Sequence, residues 1–281
     1  MYLEYWGLER FPFDNAPNPD FFYLSRTHEE GLHRLLYAAQ LGKGCALLAG
    51  DIGVGKTTLG QVFLKKISEK NVDIVMISNP CLDKNEFLQD VLYKLNVDEV
   101  PERKVEILQV LEDKLTENAE NGIKTLMVVD EAQMLSEDML EEIRLLLNFQ
   151  SPHGFLITII LMGQLELIEK VKHIRQLQQR IAIKYFLKPF NLNETVDYIL
   201  YRQKKAGAKR NVFSKEAIKL IFRHSKGLPR MINHLCDLMM LVGAAKKRKH
   251  IDTGLVKELL NDESLFGWDE PASNDKARNI G

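Results

Sequence analysis

Cysteine is scarce: three in 281 residues, at positions 45, 81 and 236. An odd number spread so widely suits neither a disulfide framework nor a zinc site, and it predicts a reducing compartment. Glycine (17) and proline (9) are too few for a collagen-like or linker-dominated chain, and 45% hydrophobic content excludes a mainly disordered one. The start, MYLEYWGLERFPFDNAPNPD, lacks the basic region and apolar core of a signal peptide. No stretch reaches the roughly 18 uninterrupted apolar residues of a membrane helix, so no direct span is expected. These absences point to a soluble cytoplasmic chain of one large domain or two ordinary ones, able to fold without metal or disulfide.

An excess of charge of either sign is also lacking, since the net charge is −1. That balance hides a polarity. Residues 81–150 carry 17 acidic and 7 basic side chains, a net −10, whereas residues 200–250 carry 14 basic and 2 acidic, a net +12. Such a division can guide contact with a polyanion or between copies of the chain, or it can reflect solvated helix faces.

Residues 1–25 combine rings (Trp6, Phe11, Phe13, Phe21, Phe22, Tyr23) with Pro12, Pro17 and Pro19, which predicts an irregular, ring-packed segment. These rings either pack a core, cover an adenine face or meet a neighbouring subunit. Ser25 then caps a helical pattern over Thr27–Leu41. The apolar runs at Cys45–Ala49, Val72–Ile77, Thr125–Val129 and Phe155–Met162 read as buried strands. Helical spacing occupies Thr57–Ser68, Asn85–Leu95, Lys104–Asn118, Ser136–Phe149 and Leu165–Lys172 between and after them. Alternating strands and helices imply a parallel sheet covered on both faces. After about Pro189 only helices are expected: Asn193–Lys205, Ser214–His224, Leu228–Ala245 and Asp252–Asn261. The expected division is an N-terminal aromatic segment plus α/β domain over 1–188, a helical lid over 189–262, and a disordered polar tail over 263–281.

The strongest local signal is Gly50-Asp51-Ile52-Gly53-Val54-Gly55-Lys56-Thr57, followed by Thr58. It fits G-x-x-x-x-G-K-[ST] between a predicted strand and a predicted helix, the context that a phosphate-binding loop requires. Its glycines let successive N–H groups face a phosphate, and the following helix adds its positive end. Lys56 can reach the β- and γ-phosphates, and the Thr57 hydroxyl can ligate magnesium. The third strand ends in Val129-Asp130-Glu131. Asp130 is placed to hold that magnesium, and Glu131 to orient and deprotonate an attacking water. Hydrolysis also needs positive charge against the γ-phosphate; Arg175, Arg180 and Arg230 are the candidate donors.

These motifs resemble an AAA+ ATPase, and more closely the ExeA/general secretion pathway protein A-like branch, which includes pilus- and exopolysaccharide-associated ATPases. The likeness runs through Met1-Tyr2-Leu3, Gly7-Leu8, Pro12-Phe13, Phe21 to Leu24, His28, the Gly50–Thr57 loop and Asp130-Glu131-Ala132-Gln133. It continues through Leu161 to Leu167, Gln179-Arg180-Ile181, and Gly227 to Asn233 with Leu235-Cys236-Asp237. Gln164-Leu165 stands where many members have Gln-Pro. The resemblance implies a P-loop NTPase sheet followed by an all-helical lid, with ATP and Mg2+ as ligands. It makes Asp130 and Glu131 a Walker B pair, Gln164 a sensor-1 residue, Arg230 a sensor-2 residue and Arg180 a finger reaching a neighbour's site, with Arg175 as the alternative finger and a plain strand-end polar role as the alternative for Gln164. A finger acting in trans implies a ring or helical homo-oligomer. The implied work is assembly or operation of a bacterial cell-envelope machine through a membrane-protein partner, which would place the chain at the inner membrane peripherally. Longer members carry a transmembrane segment and a peptidoglycan-binding domain after the ATPase, and these 281 residues contain neither, so the expectation is that work passes to a partner. A DNA-associated regulator resembling the transposition ATPases is the alternative, favoured by the basic region.

Overall fold

The computed structural model describes residues 2–68, 70–78 and 82–262; Cys81 and the expected tail at 263–281 lie outside them. Two compact units emerge: Ala16–Pro189, and residues 2–15 together with 190–262.

In the first unit, helix α2 (Arg26–Gln40) follows the N-cap Ser25, whose hydroxyl accepts from the His28 N–H. Helix α1 (Tyr2–Trp6) precedes it in the chain but belongs to the second unit. Strand β1 (Cys45–Gly50) is buried at every position and leads through the glycine loop into α3 (Lys56–Ile67). There follow β2 (Val72–Ile77), α4 (Lys84–Lys94), α5 (Lys104–Glu120), β3 (Lys124–Val129) and α6 (Glu137–Leu146). A two-residue hairpin, β4 (Gln150–Ser151) and β5 (Gly154–Phe155), precedes β6 (Ile157–Gly163), α7 (Glu166–His173), α8 (Arg175–Arg180) and β7 (Ile181–Leu187).

The five long strands form one parallel sheet in the order β2-β3-β6-β1-β7. Continuous β-branched and leucine-rich runs suit strands buried on both faces. The registers Val129↔Leu161 and Ala49↔Gly163 align the C-terminal ends of β3, β6 and β1 side by side. Open α/β sheets bind ligands at such an edge. Leu88, Leu92, Leu111, Leu115, Leu140 and Ile143 from α4, α5 and α6 form the core of one layer and are fully buried. The fully buried Leu59, Phe63 and Ile67 fix α3.

Strand β7 is absent from the sequence expectation. It is an edge strand with alternate residues turned outward (Ala182, Lys184 and Phe186 exposed), so no continuous apolar run announces it.

The second unit contains α1, α9 (Leu192–Lys205), α10 (Lys215–Ser225), α11 (Pro229–Ala245) and α12 (Thr253–Leu260). Asn191 and Glu194 form a capping box on α9, and Pro229 occupies the first turn of α11, where its missing N–H goes unneeded. The expected grouping of residues 1–25 with the nucleotide domain differs from the structure, because Tyr2–Asn15 pack within the helical unit. Trp6 is 4% exposed and donates its indole N–H to the Met240 carbonyl at 2.8 Å. The Tyr2 hydroxyl donates to Asp237, and Phe13 meets Phe213 edge-on at 5.9 Å. Arg202, buried between α9 and this segment, donates to the carbonyls of Pro12 (2.5 Å) and Asp14 (3.1 Å). Here the rings serve burial in the helical unit.

Candidate nucleotide site

The loop between β1 and α3 turns through positive φ at Gly53 (+77°) and Gly55 (+103°), a region that disfavours side chains. A Cβ on Gly55 would also lie 3.0 Å from His28 Nε2, tight enough that the imidazole would have to yield by a few tenths of an ångström. Lys56 is 7% exposed and its ammonium donates to the carbonyls of Gly50 (2.9 Å) and Asp51 (3.0 Å), curling across the loop. Val54 is fully buried beneath the loop, while Asp51 and Ile52 are exposed. Thr57 and Thr58 lie in the first turn of α3, which begins at Lys56 and whose positive dipole end faces the loop.

Across β6, Asp130 follows β3. Its carboxylate accepts from the Thr57 hydroxyl at 3.1 Å and from the Glu131 N–H at 2.9 Å. Burial raises its pKa above the ordinary carboxylate range, while those two hydrogen bonds and the Lys56 charge oppose the rise. Glu131 is exposed and left-handed, with φ +50° and ψ +36°, a conformation that costs a non-glycine residue roughly 1–2 kcal/mol. Thr57 Oγ1 and Asp130 Oδ2 thus converge from two elements. Hard oxygen donors of this number fit a magnesium ion, which keeps waters and phosphate oxygens in its shell rather than taking a full protein cage. Among the described residues no group of three or more His, Cys, Asp or Glu could hold a metal ion.

Gln164, directly after β6, lies between the two motifs, and its N–H donates to Gln133 Oε1 at 3.0 Å. The structure therefore brings together Gly50–Thr58, Asp130, Glu131 and Gln164 along one sheet edge. Arg180 closes α8 and donates to the Leu147 carbonyl (3.2 Å) and to Asn148 Oδ1 (3.1 Å) of its own chain. Arg175 is exposed, and its side chain makes no hydrogen bond or ion pair among the described residues. Arg230 is an exposed residue in the first turn of α11, in the helical unit.

Two neighbours of the site have roles that no sequence motif assigns. His28 is 2% exposed, with Nδ1 2.8 Å from Ser25 Oγ and Nε2 3.2 Å from the Val54 carbonyl. A carbonyl only accepts, so Nε2 carries the proton, and Ser25 donates to Nδ1. Burial lowers this imidazole's pKa to about 4, against a small opposing effect of the Val54 bond. Gln133 is the other. Both stand in motif segments, but their significance comes from partners 26 and 31 residues away.

The parallel sheet, glycine loop and acidic strand end define a P-loop nucleotide-binding protein of the AAA class, and residues 39–171 match the family model described as an AAA domain. Over 250 residues the chain is 34% identical to general secretion pathway protein A of Aeromonas hydrophila, covering 88% of this chain and 45% of that protein. Over most of its own length the chain is thus similar to an AAA protein of the ExeA-like type. The ATP-dependent target DNA activator B of Escherichia phage Mu is 27% identical over 144 residues, 51% of this chain and 44% of that protein. The chain thus spans just under half the length of these curated relatives. Among solved structures, the ORC2 protein of Aeropyrum pernix superposes with TM-score 0.65 at 20% identity, covering 89% of this chain and 71% of that one. The Holliday junction branch migration motor RuvB of Thermotoga maritima gives 0.58 at 18%, over 89% and 72%. At these identities the likeness establishes the fold. No helix among the described residues is long and apolar enough to cross a membrane.

Proposed function

We propose that the chain is a magnesium-dependent ATPase whose turnover, completed by assembly with further copies, drives a bacterial cell-envelope machine through a membrane-protein partner. The observation that carries the enzymatic reading is the convergence of Thr57 and Asp130 at 3.1 Å beside Lys56. The Gly53–Thr58 backbone would cradle the phosphates, and Lys56 would exchange its two loop carbonyls for phosphate oxygens. Thr57 and Asp130 would hold magnesium, which when bound supplies positive charge against the β- and γ-phosphates. Glu131, exposed at the same edge, would accept the proton of the attacking water. Gln164 would sense the γ-phosphate, and Arg230 would serve as the sensor-2 arginine. The finger belongs to the 175–180 segment: Arg180 must give up its bonds to Leu147 and Asn148 to serve, whereas Arg175 has none to surrender. The envelope assignment rests on likeness to general secretion pathway protein A. Lys56→Ala should abolish nucleotide binding, and Glu131→Gln should bind ATP while losing turnover. Undiminished turnover in Glu131→Gln would remove Glu131 as the base.

One observation supports DNA as an alternative partner. The Phe213–Ile251 bridge and the Ile251 N–H to Val212 carbonyl bond (2.8 Å) join two distant basic loops. Exposed Lys209, Arg210, Lys247, Arg248 and Lys249 gather there, while Lys246 pairs with Glu258. The phage Mu relative is by name a DNA activator. Turnover measured with and without duplex DNA at stated, near-physiological salt decides between the readings. Strong stimulation by DNA would displace the envelope assignment.

A further inference from the structure

Gln133 lies in the 3-10 turn Ala132–Met134, directly after Glu131, and is 9% exposed. Its amide makes two bonds in opposite senses. Nε2 donates to Glu131 Oε2 at 2.5 Å, and Oε1 accepts from the Gln164 N–H at 3.0 Å. A carboxylate only accepts and a backbone N–H only donates, so the partners fix which way the amide points. The turn itself is clamped: the Lys170 ammonium, from α7, donates to the Gln133 carbonyl (2.6 Å) and to the Leu135 carbonyl (2.8 Å). Space for the amide is made by Gly163, where a Cβ would lie 2.9 Å from Gln133 Oε1 and 3.2 Å from the Gln133 nitrogen. Among the described residues, the Glu131 carboxylate has no other hydrogen-bond partner.

From this geometry we propose that Gln133 is the positioning residue for Glu131, pinning one carboxylate oxygen and tying it to the backbone at Gln164. The inference rests on the reading of Glu131 as the base. A glutamate on an exposed, left-handed residue has several rotamers open to it, and proton transfer needs the carboxylate within hydrogen-bond reach of one water. With Oε2 held by the amide, Oε1 remains to accept the proton. Because the other end of the amide is held by the residue after β6, a shift of Gln164 is transmitted to Glu131 without any contact between those two side chains. Gln133 itself touches neither phosphate nor water in this scheme.

The test compares Gln133→Glu, Gln133→His and Gln133→Leu with Glu131→Gln in the full chain, measuring kcat and KM for ATP and the Kd of a fluorescent ATP analogue. Gln133→Glu keeps the shape and the acceptor toward Gln164 but removes the donor and opposes two carboxylates. It should lower kcat at least tenfold and leave KM and Kd within about twofold. Gln133→His, whose Nε2–H reaches about as far as the glutamine amide, should recover most of that loss. Gln133→Leu should behave like Gln133→Glu, and it keeps the comparison available if the acidic variant fails to fold. In the Glu131→Gln background, Gln133→Glu should lower residual turnover no further, since its effect passes through Glu131. Loss of turnover in Glu131→Gln with kcat within threefold of the parent in both Gln133→Glu and Gln133→Leu would overturn the inference while leaving the base assignment intact. Equal losses in the Glu, His and Leu variants, in step with falling nucleotide affinity, would overturn it in favour of plain packing. Full turnover in Glu131→Gln overturns both.

Discussion

Replacing His28 with glutamine should flatten the acid side of the stability profile. Glutamine can still donate an amide N–H to the Val54 carbonyl, but it does not titrate. In the native chain burial holds the His28 pKa near 4, against 6.5 for an unperturbed imidazole. The unfolded chain therefore binds the proton first. The sign follows: the stabilising difference is fully present above about pH 6.5 and is lost as the pH falls toward 4. Between about pH 7.5 and about pH 5 this one residue accounts for a loss of about 2 kcal/mol, a large part of a domain's typical stability. Urea denaturation of parent and Gln variant across that range, followed by circular dichroism, measures the loss directly. The gap between the two proteins should change by about 2 kcal/mol, the parent losing more. The other six histidines are common to both chains and cancel. Proton NMR supplies an independent reading, with one imidazole titrating near 4. Parallel stability profiles, or a His28 midpoint near 6.5, would refute the account of a buried neutral ring supporting the phosphate loop.

Three further outcomes follow from individual contacts. Phe63 is fully buried on α3, so Phe63→Ala should cost about 3–5 kcal/mol, read by chemical denaturation. Arg202→Leu leaves the Pro12 carbonyl without the Arg202 donor and the Asp14 carbonyl with the weaker Asn233 amide at 3.3 Å, and should destabilise the helical unit by about 3 kcal/mol; a change below about 0.5 kcal/mol would mean water replaces the guanidinium. Arg175→Ala and Arg180→Ala, each mixed with the Lys56→Ala chain, distinguish the two candidate fingers. The variant whose turnover is restored by mixing identifies the residue that acts across subunits, and restoration of neither removes the trans arrangement from the proposal.

Sequence periodicity made four strands legible because each is dominated by β-branched and aliphatic residues: β1, β3 and β6 lie inside the sheet, and β2, at its other edge, keeps an apolar run broken only by Asp73. The fifth escaped for the same reason in reverse: β7 lies at the sheet edge, and its outward residues include both Lys184 and Phe186, so neither a continuous run nor a clean polar alternation marks it. The aromatic start was legible as a packed segment but not as part of the helical unit. Trp6 meets Met240 and Tyr2 meets Asp237 across more than 230 positions, and composition carries no information about such pairing.

The nucleotide site divides along a similar line. Gly50–Thr57 and Asp130-Glu131 are legible because their chemistry is carried by short fixed spacings: a phosphate cradle needs consecutive N–H groups, and a strand end needs its acid at the next residue. The residues that hold those groups in place obey no such rule. His28 meets the loop at Val54 only because α2 packs beside α3, and no fixed spacing between positions 28 and 54 announces that contact. Gln133 is adjacent to Glu131 in the chain, yet what orients its amide is the Gln164 N–H at the end of a different strand. The finger shows the limit most clearly. Arg175 and Arg180 are five residues apart on one short helix, alike in charge, and one is engaged with Leu147 and Asn148 while the other is not. Sequence supplies the groups that touch a phosphate; the partners that decide whether a given group is free to do so are set by the strand order.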